Sequence, residues 1–156
     1  MAQYQDKLNR YLVELFNDVL KAEELSLIKE YGNLSLKEFH VIEAVCLAND
    51  NNGDNSTASI AEALKITAGS LTVAVNTLEK KGYLVRKKID KDKRIVRIYP
   101  TELGLEVNRY HEKFHYEMVG SILSIINEDE ADILLKALED IRTFFNNKYI
   151  QNKETL

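Results

Sequence analysis

Apolar residues recur at spacings of three and four along most of this chain, and alternate with polar residues over one stretch near the middle. That contrast predicts helices interrupted by a single hairpin. Tyr4 to Ile28 reads as one long helix, with Leu8, Leu12, Leu15, Phe16, Val19 and Leu20 on one face. Gly32-Asn33 ends it. Ser35 stands three residues before Glu38, a capping box that starts a second helix carrying Phe39, Ile42, Val45 and Cys46 on its inner face. Residues 49–56 read Asn-Asp-Asn-Asn-Gly-Asp-Asn-Ser, a composition expected of a mobile surface loop. A calcium loop of twelve residues with a terminal Glu is not present there.

Thr57 to Leu64 predicts a short helix with Ile60, Ala61 and Leu64 inward. Thr67 then caps another, from Ala68 to about Lys81, whose inner stripe is Leu71, Val75 and Leu78. Its other side offers Ser70, Thr72, Ala74, Asn76 and Lys80. Two helices across a short turn are the skeleton of a helix-turn-helix, and a small, polar outer face can enter a major groove. An ordinary helical hairpin fits the same spacing. After Gly82 the pattern changes to alternation: Tyr83 to Ile89, a charged turn over 90–93, then Arg94 to Tyr99. This predicts a β-hairpin with a cationic tip. A helix-turn-helix followed by a basic hairpin is a winged helix, with Lys88, Lys91, Asp92, Lys93 and Arg94 in the wing. Asp92 and Arg94 have the spacing of a salt bridge that shapes the tip.

Pro100 stops the second strand, since it has no N–H for a ladder. Thr101 caps a long helix reaching about Ile126, with Leu103, Val107, Tyr110, His111, Phe114, Met118 and Ile122 on its apolar side. Asn127 caps a final helix with Glu130 at its third position, lined by Leu134, Leu135, Leu138, Ile141 and Phe145. The predicted fold is mainly α with a small β-hairpin wing. Residues 1–34 and 101–156 would form a helical dimerisation region and residues 35–100 a DNA-binding domain.

Composition agrees with this picture. The 156 residues include 6 Gly and 1 Pro, too few breakers for a turn-rich sandwich or barrel. The single Cys, Cys46, excludes an internal disulfide framework and fits a reducing, cytoplasmic setting. No apolar run approaches the roughly 18 residues of a membrane span, and the first ten residues have no secretory apolar core, so no membrane partner is expected. The net charge of −4 hides an asymmetry. Residues 79–97 carry 9 Lys/Arg against 3 Asp/Glu, whereas 1–78 and 98–156 each carry 6 against 11. A local positive patch attracts polyanions on an acidic molecule. Gly-rich phosphate loops, Gly-x-Ser-x-Gly elbows and Cys-x-x-Cys pairs are lacking, so no enzyme is expected.

The stretch from Thr67 to Gly104 resembles the winged-helix core of MarR-type repressors. The family's Leu-Glu-x-x-Gly, hydrophobic pair and Arg are Leu78, Glu79, Gly82, Tyr83, Leu84 and Arg86. Its Asp-x-Arg and Thr-x-x-Gly are Asp92, Arg94, Thr101 and Gly104. Pro100 departs from the family's usual Leu. The order of helices also matches over nearly the whole chain. A further resemblance is to FabT-like repressors of fatty-acid biosynthesis. Leu15-Phe16-Asn17, Glu23-Glu24, Lys37 to His40, Gly69 to Thr72, Asn76 and His111 to His115 carry it. It implies a homodimer that binds double-stranded DNA at an inverted repeat and answers to a long-chain acyl group on acyl carrier protein. No cofactor is required by that reading. Phe39, His40, Ile42, His111, Phe114 and Met118 are the expected effector cleft.

His111 and His115 are four apart on one helix, and His40 on the second helix and Glu23 and Glu24 on the first are expected nearby, with Glu24 as the ligand. Three imidazoles and a carboxylate make a tetrahedral zinc set, so a zinc-responsive repressor of the same fold is the first alternative. Histidines that only tie helices together by hydrogen bonds fit equally. The alternative from another class is a helical protein-interaction dimer whose basic hairpin is a solvated surface.

Overall fold

The computed structural model describes residues 2–50, 53–89 and 92–150; the side chains at 2, 89, 92–95 and 150 lie outside that description. The chain divides into two compact units, Met1–Glu112 and Lys113–Leu156.

The first unit holds the helices α1 (Ala2–Glu30), α2 (Leu36–Asp50), α3 (Thr57–Ala63) and α4 (Ala68–Lys80). The strands β1 (Leu84–Ile89) and β2 (Asp92–Pro100) follow, then the first half of α5 (Glu102–Leu123). The second unit holds the rest of α5, then α6 (Glu128–Phe145) and a terminal π-helical turn, Asn146–Ile150. The chain is thus mainly helical with a two-stranded antiparallel hairpin.

The predicted caps form. Ser35 and Glu38 exchange side-chain bonds at the start of α2. Thr67 Oγ1 accepts from the Ser70 amide at 3.1 Å. Asn127 and Glu130 make a reciprocal capping box, joining at 2.9 and 3.0 Å. Each satisfies donors that a helix start leaves open. Helices α3 and α4 turn through 105°, within the roughly 90–120° of a helix-turn-helix. Lys65, between them, takes φ +55°, a left-handed backbone that closes the turn.

The core of the first unit is built where α2, α4 and the hairpin meet. Phe39, Ile42, Val45, Leu71, Val75, Leu78, Ile98 and Val107 are all fully buried. Burying a side chain of this kind is worth roughly 1.5–3 kcal/mol. This core is what orients α4 relative to the wing. By contrast Leu8, Leu15, Phe16 and Leu20, predicted as an inner stripe of α1, are 50–59% exposed.

The expected free loop at 49–56 is a correction. Residues 51 and 52 lie outside the described residues, but its two ends are tied to β2. Asn49 and Asn55 Nδ2 each donate to the Ile98 carbonyl at 3.1 Å. The Ile98 amide donates back to the Asn55 carbonyl at 3.0 Å, and Ser56 bridges Arg97 as an isolated antiparallel pair. Asp54 forms an ion pair with Arg97. Asn55 is consequently 7% exposed. The asparagines are there because a buried carbonyl needs donors, and composition alone does not distinguish that need from a solvated turn.

Strand β2 begins at Asp92, two residues before the alternation suggests. Its register pairs Leu84 with Pro100 and Lys88 with Val96, and shifts at Lys88/Ile89. Pro100 closes the ladder as its last residue, where the missing N–H costs nothing. Helix α5 ends at Leu123, three residues short of the expected Ile126.

Candidate nucleic-acid interface and the buried histidine

Helix α4 is amphipathic, with Leu71, Val75 and Leu78 buried. Its exposed stripe is Gly69, Thr72, Val73, Asn76 and Lys80, with Thr67 and Ser70 exposed at its start. Thr67 is the helix cap, and its hydroxyl pairs with that of Ser70 at 2.8 Å. Thr72, exposed, donates its Oγ1 hydroxyl to the Ala68 carbonyl at 2.8 Å. Val73, absent from the sequence-based set, is 66% exposed. A valine with two-thirds of its surface in water on a polar stripe suits contact with a thymine methyl.

The wing is fixed to this helix by Arg86. Its backbone amide donates to Glu79 Oε1 at 2.8 Å, and its guanidinium forms an ion pair with the same carboxylate. One guanidinium nitrogen also donates to Asn76 Oδ1 at 2.6 Å, and the other to the Thr72 carbonyl at 3.2 Å. This explains why Glu79 and Arg86 occur together: the pair sets the angle between helix and hairpin. At the turn itself Gly82 has φ +84°, a conformation glycine adopts freely. Lys81 reaches Glu38 at 2.7 Å, which pins the C-terminus of α4 to the start of α2.

Lys88 is exposed on β1. Lys91 lies outside the described residues. Asp92, Lys93 and Arg94 belong to β2, but their side chains lie outside the description, and so does the predicted Asp92–Arg94 pair. Lys87 stands over the Tyr99 ring at 5.2 Å, a cation–π contact that stiffens the hairpin.

Behind the helix-turn-helix lies a second polar centre. His111, 3% exposed, has its Nε2 at 2.9 Å from Glu23 Oε1. Its Nδ1 is 3.5 Å from Glu43 Oε1. The Phe39 ring meets the imidazole edge-on with centroids 4.1 Å apart. Burial pushes the His111 pKa down, but the Glu43 and Glu23 carboxylates together outweigh it, and the net direction is upward. One member of the zinc set expected from sequence changes here. Glu24 is exposed and bonds Lys21 at 2.8 Å, and the carboxylate that meets His111 is its neighbour Glu23, 4% exposed. The signal for Glu23 was present, since it falls on the stripe that runs to Leu27. His115, half-buried against Phe114 at 5.6 Å, belongs to the second unit.

The predicted effector cleft also changes. Phe39 and Ile42 have no exposed surface and belong to the core. Phe114 and Met118 are half-buried in the second unit. In the first unit an open cleft of about 510 Å³ is walled by His40, Glu43, Leu47, Ile60, Leu64 and Asn108. Cys46, behind it, is 1% exposed, and burial with Asp50 nearby pushes its thiol up to about 12, so it is unreactive.

The family model for MarR matches residues 34–96, the segment that holds the helix-turn-helix and most of the wing. The crystal structure of FabT from Streptococcus pneumoniae, in complex with DNA, is similar with a TM-score of 0.83 and 31% identity. The match covers 92% of this chain and 98% of that one. The chain belongs to the MarR family. The regulator MhqR of Bacillus subtilis is 28% identical over 126 residues, 81% of this chain and 82% of the relative. The structure of Staphylococcus aureus MepR with DNA shares the fold at a TM-score of 0.69 and 18% identity, over 87% of this chain and 95% of that one. As a MarR-type protein this chain is a DNA-binding transcriptional regulator and not an enzyme. No single helix among the described residues is long and apolar enough to cross a membrane.

Proposed function

We propose that this MarR-family chain is a homodimeric repressor of fatty-acid biosynthesis genes. It reads an inverted repeat through α4 and answers to a long-chain acyl group carried on acyl carrier protein. The observation that carries the DNA half is the outward stripe of α4, held at a fixed angle to a basic hairpin by Arg86 and Glu79. Thr67, Ser70, Thr72, Asn76 and Lys80 face the groove, and Lys88, Lys91 and Lys93 follow phosphates. Residues 35–100 serve as the DNA-binding part, and residues 1–34 and 101–156 as the dimerisation region. Support for a dimer comes from Leu8, Leu15, Phe16 and Leu20 on α1 and Leu135 and Leu138 on α6, all 47% or more exposed in one protomer. Apolar stripes of that kind need a partner surface.

The acyl reading rests on the likeness to FabT. It draws further support from the apolar walls of the cleft, Leu47, Ile60 and Leu64. Zinc is the second reading, favoured by a buried imidazole between two carboxylates, Glu23 and Glu43. The test is a DNA-binding titration with long-chain acyl-acyl carrier protein and, separately, with zinc. An acyl response without a zinc response supports the proposal. A zinc response abolished by His111→Ala replaces it with the zinc reading.

A further inference from the structure

We infer that Arg86 sets which base Asn76 selects, by fixing the orientation of its side-chain amide. This rests on α4 being the helix that enters the groove. An asparagine that reads adenine uses both ends of its amide, the oxygen accepting from N6 and the nitrogen donating to N7. Here the oxygen is already engaged. Arg86 donates to Asn76 Oδ1 at 2.6 Å, while the same guanidinium is anchored by Glu79 and by the Thr72 carbonyl. Three partners on one planar, always-charged group hold it in place. With Oδ1 turned inward toward the wing, Asn76 presents only its Nδ2 donors along the exposed stripe. Donors select an acceptor on the base edge: O6 or N7 of guanine, or O4 of thymine. Adenine offers only N7 to such a pair, and its N6 amine faces a donor.

Asn76 is therefore a reader of guanine or thymine, and Arg86 is a positioning residue that acts through it. Lysine at 86 can keep an ion pair with Glu79, but it lacks the planar fork that spans Glu79, Asn76 and Thr72 together. The freed amide can then rotate and accept from adenine.

The experiment is selection of binding sites from a randomised duplex pool with full-length wild-type protein, Asn76→Ala, Arg86→Lys and Arg86→Ala. The position that Asn76→Ala relaxes should be guanine or thymine in wild type, preferred over adenine by roughly tenfold. Arg86→Lys, which can keep the ion pair with Glu79 and with it the wing, should reduce that preference several-fold at that position and shift it toward adenine, leaving the order of preference elsewhere intact. Arg86→Ala should make the same shift with weaker binding overall, because it also frees the wing. Two variants are used so that one poorly folded protein does not decide the matter. Adenine at the Asn76-dependent position in wild type would overturn the inference. So would Arg86 variants that leave the preference at that position unchanged, or an Asn76→Ala protein whose selected sequence is unchanged. Wild-type protein that enriches no sequence at all would instead overturn the underlying reading of a sequence-specific regulator.

Discussion

The backbone of Gly104, on the first turn of α5, lies against the carbonyl oxygen of Tyr83, so closely that a Cβ at position 104 would overlap that oxygen. Thr101 occupies the same junction. Its hydroxyl donates to the Gly82 carbonyl at 2.7 Å and accepts from the Gly104 amide at 3.2 Å, and the Thr101 amide donates to Tyr83. The spacing Thr-x-x-Gly thus has a physical cause: it docks a helix start onto the turn between α4 and β1. The atom that must move on substitution is backbone, not a flexible side-chain end. Gly104→Ala should cost on the order of 1–3 kcal/mol, as overpacking does. Thermal or denaturant unfolding measures it, and an unchanged midpoint would show that the junction can open.

A second prediction concerns the Ile98 carbonyl. Two donors, Asn49 Nδ2 and Asn55 Nδ2, reach it, and Asn55 also donates to Asn49 Oδ1 at 3.0 Å. Either asparagine replaced by alanine leaves the carbonyl one partner, so each single change should cost about 1 kcal/mol. The double change leaves it buried with neither, which adds a desolvation penalty of roughly 1–3 kcal/mol. The Asn49–Asn55 bond is broken by either single change and so is counted twice in their sum. A double-mutant cycle should show a loss larger than that sum where the desolvation penalty exceeds this bond's share. A double loss below the sum would mean that water replaces the missing amides.

Much of the fold was legible because its signals are local. The boxes at Ser35–Glu38 and Asn127–Glu130, the cap at Thr67 and the alternation after Gly82 each fix a boundary within a few residues. The stripe Leu71, Val75, Leu78 likewise separated the buried side of α4 from its exposed side. What was hidden depends on partners distant in sequence. Asn55 looks like a turn residue until its partner 43 positions away is known. Glu23 and Glu24 differ by one position, 100° around a helix, and only the packing of α1 against α5 decides which meets His111. Phe39 and Ile42 were assigned to a cleft because apolar residues suit ligands and cores alike, and periodicity does not separate the two.

The buried His111 predicts a pH dependence. Its folded pKa lies above the ordinary 6.5, since the facing carboxylates of Glu43 and Glu23 outweigh burial. A group with a raised folded pKa adds stability that is fully present below the unfolded value and is lost as pH rises through the folded value. Wild-type stability should therefore fall as pH rises above about 6.5, in excess of any trend shared with His111→Gln. Denaturant unfolding across pH 5.5 to 8.5, roughly centred on the histidine range, reads the difference. Parallel profiles would mean that His111 titrates alike folded and unfolded, and a wild-type stability that rises with pH relative to His111→Gln would place the imidazole neutral in the folded protein.

The last prediction separates affinity from specificity on the DNA-binding face. Lys88 is an exposed wing lysine on β1, and Val73 is an exposed apolar residue on α4. A lysine on a phosphate releases counterions, so Lys88→Ala should weaken all duplexes alike and reduce the salt slope by about 0.9 unit. Val73 carries no charge and cannot alter that slope. If it meets a thymine methyl, Val73→Ala should relax the choice at one base position per half-site and leave the slope intact. Binding isotherms at several salt concentrations, on the selected operator and on a scrambled duplex, distinguish the two. The assignment of α4 to the groove and the hairpin to the backbone fails if the pattern is reversed, with Lys88→Ala changing base choice and Val73→Ala changing the salt slope. It fails for Val73 alone if that variant binds both duplexes as wild type does.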